Sequence, residues 1–322
     1  MVRPSPHVDI LERGGFEARF TEHRDLPNAA TTEEEIIANL RDATAVLAGA
    51  ELFNRRIMDA LPKLRVIARA GVGYDRVDVA AATARGIAVT ITPNANHECV
   101  AEHALAMMFA AAKNIVPNDA AVKQGRWDRR LTSPLRGKTF GIVGLGRIGR
   151  SLAVRLKALG MAVIACDAFA NAEFVQRMGI EIVSLDELLS RSDYVSLHCP
   201  STPETHGMIN RRTLALMKPT ATLINTARGT LIVEDDLVAS LQSGHLAWAC
   251  LDVFAPEPPR QDHPIFSLSN VILAPHLGGM DSLSLQNMGN EAAQAMVDLL
   301  HNRWPLEAGV NRELQATWNW EK

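Results

Sequence analysis

The chain has 322 residues, 47% hydrophobic and 21% charged, with 33 basic and 36 acidic side chains and a net charge of −3. Neither sign forms long blocks, so there is no electrostatic footprint for nucleic acid or an anionic membrane. Four scattered cysteines (Cys99, Cys166, Cys199, Cys250) include no CxxC pair, and the N-terminus MVRPSPHVDI lacks the apolar core of a signal peptide. A reduced, cytoplasmic protein is expected. The run ALAMMFAAA (104–112) is too short to span a bilayer, so no membrane partner is expected either.

The length suggests two domains. In the N-terminal part, TAVLAGA (44–50), LRVIARAG (64–71) and GIAVTIT (86–92) predict strands, with DRVDVAAATARG a helix between the last two. ECVAEHALAMMFAAAKNI (98–115) is apolar nearly all round and reads as a buried helix. From residue 138 short apolar runs alternate with amphipathic segments. TFGIVGLG (139–146) is a strand, RIGRSLAVRLKALG (147–160) a helix ended by Gly160, and MAVIACD (161–167) a strand. A helix near 171–178, a short strand around Ile182, helical turns at 185–192 and the strand YVSLHCP (194–200) follow. After RRTLALMKP come the strand ATLINTA, the helix VEDDLVASLQSGH and the strands LAWACLDVF and NVILAPHLGG. Continuous apolar strands separated by helices demand a parallel sheet covered on both faces, a doubly wound α/β fold. A last helix over 281–302 precedes PLEAGVNREL, which returns the chain to the first unit.

Gly144, Gly146 and Gly149 form G-x-G-x-x-G between a strand and a helix, and Asp167 ends the next strand. The first glycine makes the tight turn, the second lets a pyrophosphate approach the backbone, and the third allows close helix–strand packing. The helix N-terminus then favours the phosphates. Asp167 would accept hydrogen bonds from the adenosine ribose and repel a 2′-phosphate, and the following DAFAN supplies no arginine, so NAD is expected rather than NADP. The expected division is a Rossmann NAD-binding domain over 98–293 and a smaller, flavodoxin-like α/β substrate domain from 1–97 and 294–322, with a cleft between them.

Arg228, Glu257 and His276 each lie just beyond an apolar run, where open α/β sheets bind ligands. Singly, each more often reads as structural: an Arg–Glu ion pair, a satisfied loop histidine. Together, beside a dinucleotide site, they supply a planar fork for a substrate carboxylate and a His–Glu couple for proton transfer. Gly71 and Gly73 in RAGVGYDRVD fit a backbone anion site and a plain strand-to-helix turn equally. HECVAEH (97–103) fails the HExxH pattern at Ala101, and Cys99 and His103 find no further ligand at a telling spacing, so no metal is expected.

ARAGVGYDRVD, TPNANHECVAEHAL, GRWDRR, RGKTFGIVGLGRIGR, NTARGTLIVEDDLVASLQSGHLAWACLDVFAPEPP and HPIFSLSNVILAPHLGG together resemble the D-isomer-specific 2-hydroxyacid dehydrogenases over roughly residues 40–312. GRW, NTARG and the closing GVN (309–311) are most similar to the phosphoglycerate dehydrogenase branch. The resemblance implies a 2-keto acid reductase or D-2-hydroxyacid dehydrogenase. In it Arg228 binds the substrate carboxylate, His276 is the general acid and base, and Glu257 holds the imidazole and raises its pKa. It further implies that Arg147, Ile148, Cys199, Pro200, Thr205, Thr226, Ala227 and Asp252 line the cofactor, Asp252 at the nicotinamide carboxamide. Val72 and Gly73 would offer backbone donors to the substrate, with Asn96 nearby.

Three departures from the family pattern carry expectations. The short N-terminus leaves the first strand of the small domain absent or very short. The chain ends soon after GVN, without room for the regulatory domain of some phosphoglycerate dehydrogenases. The strand AVLAGA ends without the arginine that often helps bind a substrate phosphate, leaving Arg69, and Arg129 or Arg130 from across a dimer. A smaller acid such as hydroxypyruvate or glyoxylate is therefore preferred over 3-phosphoglycerate. The resemblance also implies a homodimer through the Rossmann domains, embraced by an arm at 118–135 with Trp127 as anchor. The competing readings are an NAD(H)-sensing protein of the corepressor type and a phosphite dehydrogenase. Glu257 argues against the formate branch, which places glutamine there.

Overall fold

Two wholly parallel sheets organise the chain in a computed structural model that describes residues 5–21, 31–129 and 131–321. One unit comprises the residues up to Asn96 and those from Met280; the other is His97–Gly279. The first contains α1 (Pro6–Arg13), α2 (Glu33–Leu40), β1 (Ala45–Ala48), α3 (Arg55–Asp59), β2 (Val66–Arg69), α4 (Val79–Ala84) and β3 (Ala88–Thr90). Its strands lie in the order β1-β2-β3. A flavodoxin-like sheet has five strands; among the described residues three are present and none precedes β1.

The second unit opens with α5 (His97–Ala112) and α6 (Ile115–Lys123) and then winds β4 (Thr139–Val143), α7 (Arg147–Ala158), β5 (Ala162–Cys166), α8 (Ala172–Met178), β6 (Glu181–Ile182), α9 (Leu185–Arg191) and β7 (Tyr194–Leu197). It continues through α10 (Arg211–Leu214), β8 (Thr222–Asn225), α11 (Glu234–Gln242), β9 (Trp248–Leu251) and β10 (Val271–Leu273). The strand order is β10-β9-β8-β7-β4-β5-β6, the Rossmann order extended by one strand. Strand order reverses between β4 and β7, the switch point at which such sheets bind ligands. β4, β7 and β8 show the continuous burial of a sheet covered on both faces.

Local chemistry sets the boundaries. Asn171 caps α8 through Phe174 N (2.8 Å), Ser184 caps α9 through Glu187 N (3.2 Å), and Gly160 follows α7 at φ 74°. One side of the seven-stranded sheet packs Phe140, Ile142 and Ile224 against Leu152 and Leu156 of α7 and Ala104 and Met108 of α5. The other packs Leu197, Leu223 and Leu251 against Leu188 of α9 and Leu237 of α11. No single helix among the described residues is long and apolar enough to cross a membrane.

α12 (Ser282–Leu300) brings the chain back. Asp281 caps it through Ser284 N at 2.6 Å, and Ala292, Ala293, Met296, Val297 and Leu299 bury against Leu11 of α1 and Val66, Ala68 and Ala88 of β2 and β3. A division at 293/294 would therefore cut one uninterrupted helix; the boundary falls at 279/280 because the whole of α12 packs on the first unit. The returning GVN seals the edge of β3: buried Asn311 accepts from Val89 N (2.9 Å) and donates to Ile87 O (2.8 Å).

Candidate active site

The glycine loop fits a dinucleotide by what its glycines leave empty. Gly144 takes φ 97°, and a β-carbon there would sit 2.6 Å from Cys199 N, so the loop can press on the end of β7 only as glycine. A β-carbon at Gly149 would run into the carbonyl oxygen of Gly144. At Gly146 no atom lies within 4 Å of that position. Protein packing does not demand glycine there; the bare backbone leaves room for a ligand. Gly146 also provides no side-chain cap for α7, so the first N–H groups beside Arg147 and Ile148 stay available to phosphate. Asp167 accepts from Leu145 N and Phe169 N, both at 2.6 Å, which ties the loop to the end of β5. A carboxylate has further lone pairs for ribose hydroxyls.

The opposite wall comes from the ends of β7 and β8. Burial pulls the His198 imidazole down to about 4 and pushes the Cys199 thiol up to about 11, so the one is neutral and the other no thiolate. Thr205 pins the turn after Pro200, accepting from Thr202 N (2.8 Å) and donating to Pro200 O (2.7 Å). Thr226 is buried with its hydroxyl unpartnered among the described residues.

Arg228 stands just past β8 in extended backbone. Buried Asn225 holds it there, donating to Arg228 O (2.8 Å) and accepting from Ala227 N (3.0 Å). The next residue, Gly229, backs onto Phe254 and Ala255 so closely that a β-carbon would collide with their backbone. That contact joins the Arg228 turn to the loop carrying Glu257. Glu257 accepts from Phe254 N (3.0 Å) with one oxygen and bonds His276 Nδ1 (2.8 Å) with the other. The His276 side chain remains 51% exposed, and its Nε2 bonds no described residue. The hydrogen bond to Glu257 raises the imidazole pKa against the opposing pull of burial and Arg228. Burial pushes the Glu257 carboxyl up, but His276, Phe254 N and Arg228 outweigh it, and the net shift is down.

His276 adopts φ 57°, a left-handed conformation that costs a side-chain-bearing residue about 1–2 kcal/mol. Asp252, buried at the end of β9, holds the loop in it. Its backbone oxygen accepts from His276 N (2.8 Å), and its carboxylate from Leu277 N (2.7 Å) and Gly278 N (2.8 Å). Those bonds and nearby His103 outweigh the effect of burial and lower the carboxyl pKa. His103 Nε2 of α5 lies 3.4 Å from Asp252 Oδ1. The bracing residues Asn225 and His103 were not among the expected site residues. A polar Asn ending the apolar run ATLIN was the available signal for the first.

In the first unit, Val72 and Gly73 follow β2 on an open turn, and Gly73 O accepts from Arg69 Nε (3.2 Å). Asn96 carries a buried Oδ1 with no partner among the described residues. Glu51, missed by sequence reasoning, is buried beside Arg69 and Arg76. Burial raises its carboxyl pKa despite local backbone N–H groups and the two arginines. Arg129 is exposed, while Arg130 lies outside the described residues.

A dinucleotide cradle and a His–Glu couple thus share one edge of a Rossmann-type sheet. Residues 105–278 match the D-isomer specific 2-hydroxyacid dehydrogenase NAD-binding domain. D-3-phosphoglycerate dehydrogenase of Mycobacterium tuberculosis strain H37Rv is 40% identical over 293 residues, covering 88% of this chain and 55% of that protein. Glyoxylate reductase of Korarchaeum cryptofilum is 37% identical over 317 residues, covering 95% of each. The crystal structure of the TT0316 protein from Thermus thermophilus superposes with a TM-score of 0.86 at 35% identity, covering 95% of this chain and 97% of that one. The chain belongs to the D-isomer specific 2-hydroxyacid dehydrogenase family. NAD is the cofactor of its matched domain. The chain spans about half the length of the phosphoglycerate dehydrogenases it matches.

Proposed function

We propose that the protein is an NAD-dependent oxidoreductase interconverting a small, unphosphorylated 2-keto acid and its D-2-hydroxy acid. The observation that carries this reading is the 2.8 Å His276–Glu257 hydrogen bond, with Arg228 electrostatically coupled to both, on the sheet that bears the glycine loop. The nicotinamide, when bound, supplies or takes the hydride at substrate C2. Arg228 receives the carboxylate on its planar fork. His276, its Nδ1 engaged by Glu257, presents Nε2 to the substrate oxygen, giving a proton in reduction and accepting one in oxidation. Glu257 keeps the ring oriented and favours its protonated form. Asp252 keeps the His276 backbone in its left-handed turn and would face the carboxamide of a bound nicotinamide.

Two observations favour an unphosphorylated substrate. Buried Glu51 lies beside Arg69 and Arg76 and offsets the positive charge that a substrate phosphate would need from them. The glyoxylate reductase relative is matched over nearly its whole length. The exposed apolar residues Ile115, Val116, Val122, Trp127 and Leu131 support a homodimer through the nucleotide-binding unit. Sedimentation giving a stable monomer at micromolar concentration would remove that part.

The deciding experiment follows NADH absorbance across glyoxylate, hydroxypyruvate, pyruvate and phosphohydroxypyruvate. Turnover led by one of the first three is expected. NADH binding without turnover of any would overturn the reading and leave a sensor.

A further inference from the structure

A second His–Glu couple borders the loop that carries Glu257, and no step of the proposed reaction uses it. Glu234, in the first turn of α11, accepts from Ala255 N (2.9 Å) with one carboxylate oxygen and bonds His263 Nε2 (3.0 Å) with the other. His263 precedes the 3-10 turn Pro264–Ser267, where its Nδ1 accepts from Ile265 N (3.3 Å). An imidazole nitrogen that accepts carries no proton, so the ring proton is on Nε2 and is donated to Glu234. The His263 and Glu234 side chains are only 12% and 15% exposed, so water competes little for these bonds. Unlike His276, His263 has both nitrogens engaged and none to offer a substrate.

The place of this couple in the chain gives it a task. Phe254 N and Ala255 N are consecutive amides; Glu257 takes the first (3.0 Å) and Glu234 the second. The backbone of the same two residues is where Gly229, next to Arg228, makes its close approach. Phe254 and Ala255 are therefore the common support of Glu257 and the Arg228 turn. Glu234 ties that support to a fixed base, because Leu237 of α11 and Ile265 of the 3-10 turn are both fully buried in one core on the same side of the sheet. Loss of the bonds at Glu234 would let Phe254 and Ala255 shift, and with them the carboxylate that Glu257 turns towards His276 Nδ1.

We propose that Glu234 and His263 are positioning residues, which fix the Glu257 carboxylate against His276 Nδ1 through the Phe254 and Ala255 amides. The proposal rests on the reading of His276 as the proton carrier. Glu257, Arg228 and Asp252 are the charged groups that act on His276, and the hydrogen bond from Glu257 has the largest effect, raising its pKa. A carboxylate that drifts from Nδ1 raises it less, so the titration of His276 reports where Glu257 stands.

Histidine-selective NMR titration, with the His276 signal identified by its loss in H276A, tests this without substrate or turnover. H263N keeps an acceptor for Ile265 N but no donor that reaches Glu234, whereas H263Q keeps the donor and gives up the acceptor. E234Q keeps the shape of Glu234 but sets an amide NH2 against either Ala255 N or His263 Nε2. In H263N and E234Q the His276 pKa should fall towards its value in E257Q. Their kcat should drop about tenfold or more, with KM for NADH within about twofold of wild type. H263Q should stay near wild type in both readouts. An unshifted His276 titration in folded H263N and E234Q would overturn the proposal. Equal losses in H263N and H263Q, the mark of a residue that serves packing alone, would overturn it too. A titration that follows the variants while kcat does not would leave the positioning role standing and take His276 out of the rate-limiting chemistry.

Discussion

The two units each gather ionisable groups at the end of a parallel sheet, but they treat charge in opposite ways. Beyond β9 and β10, His276 stays half exposed, bonds Glu257 with one nitrogen and leaves the other unengaged among the described residues. At the ends of β1 and β2, Glu51 and Arg69 are buried, and Glu51 Oε2 has no partner among the described residues. A group that must gain and lose a proton on each turnover needs access and a fixed orientation. A group that only selects its ligand works best desolvated, where an unmatched charge is most costly. On the proposed function, the second unit carries the chemistry and the first the discrimination.

The sharpest way to break that division is to remove the proton carrier. H276A should lower kcat about a hundredfold to ten-thousandfold, the usual worth of a positioned acid–base group, with KM changed little. A rate within about tenfold of wild type would take His276 out of the chemistry. R228A should lower kcat and raise KM together, costing about a hundredfold or more in kcat/KM, since a charge-assisted, bidentate contact is lost both before and at the transition state. A change confined to KM would make Arg228 a binding residue only.

E257Q acts on the proton affinity of the ring. In the native chain Glu257 raises the pKa of His276, so the acid form persists to higher pH. Reduction requires that form and should fade as pH rises through the raised pKa. The glutamine variant, without the carboxylate charge, should lose rate from a lower pH, while at acidic pH it keeps most of the wild-type rate. The same sign governs stability: the pair stabilises the fold most fully below the unfolded histidine pKa, and that contribution is lost as pH rises through the raised native value. Coincident alkaline limbs in pH–rate profiles of the two proteins would show that Glu257 does not tune His276.

Much of the second unit is legible in the sequence because local signals agree with one another. Strand–glycine–helix order, the Asp closing β5 and the apolar runs of β7 and β8 each carry their meaning within a few residues. Arg228, Glu257 and His276 stand out because polar groups at the ends of apolar strands conflict with burial. What stays hidden depends on packing between distant segments. His103 is separated from Asp252 by most of the domain, and the importance of Asn225 shows only once the Arg228 turn has formed. The start of the expected arm at 118–135 is helical, continuing α6, where Pro117 stands in the first turn and its missing N–H forfeits no helix bond. The amphipathic pattern of α12 is plain, but periodicity does not say which unit its apolar face will cover. Glu51 escapes notice because one acid after a strand is unremarkable until Arg69 and Arg76 are brought beside it.

Glu51 therefore offers the smallest but most discriminating change. E51Q keeps the shape of the side chain and removes a negative charge next to two arginines. The folded state raises the Glu51 pKa, so ionisation of this carboxyl costs stability as pH rises, and the glutamine variant should melt no lower than wild type in mildly alkaline buffer. With the arginines no longer offset, phosphohydroxypyruvate should gain about tenfold in kcat/KM relative to hydroxypyruvate, as expected for one charge pair in a partly desolvated site. The absolute rate on hydroxypyruvate should change less, because His276, Glu257 and Arg228 lie in the other unit. An unchanged substrate ratio in a well-folded E51Q protein would mean that Glu51 serves the packing of the first unit and that discrimination against phosphate arises elsewhere.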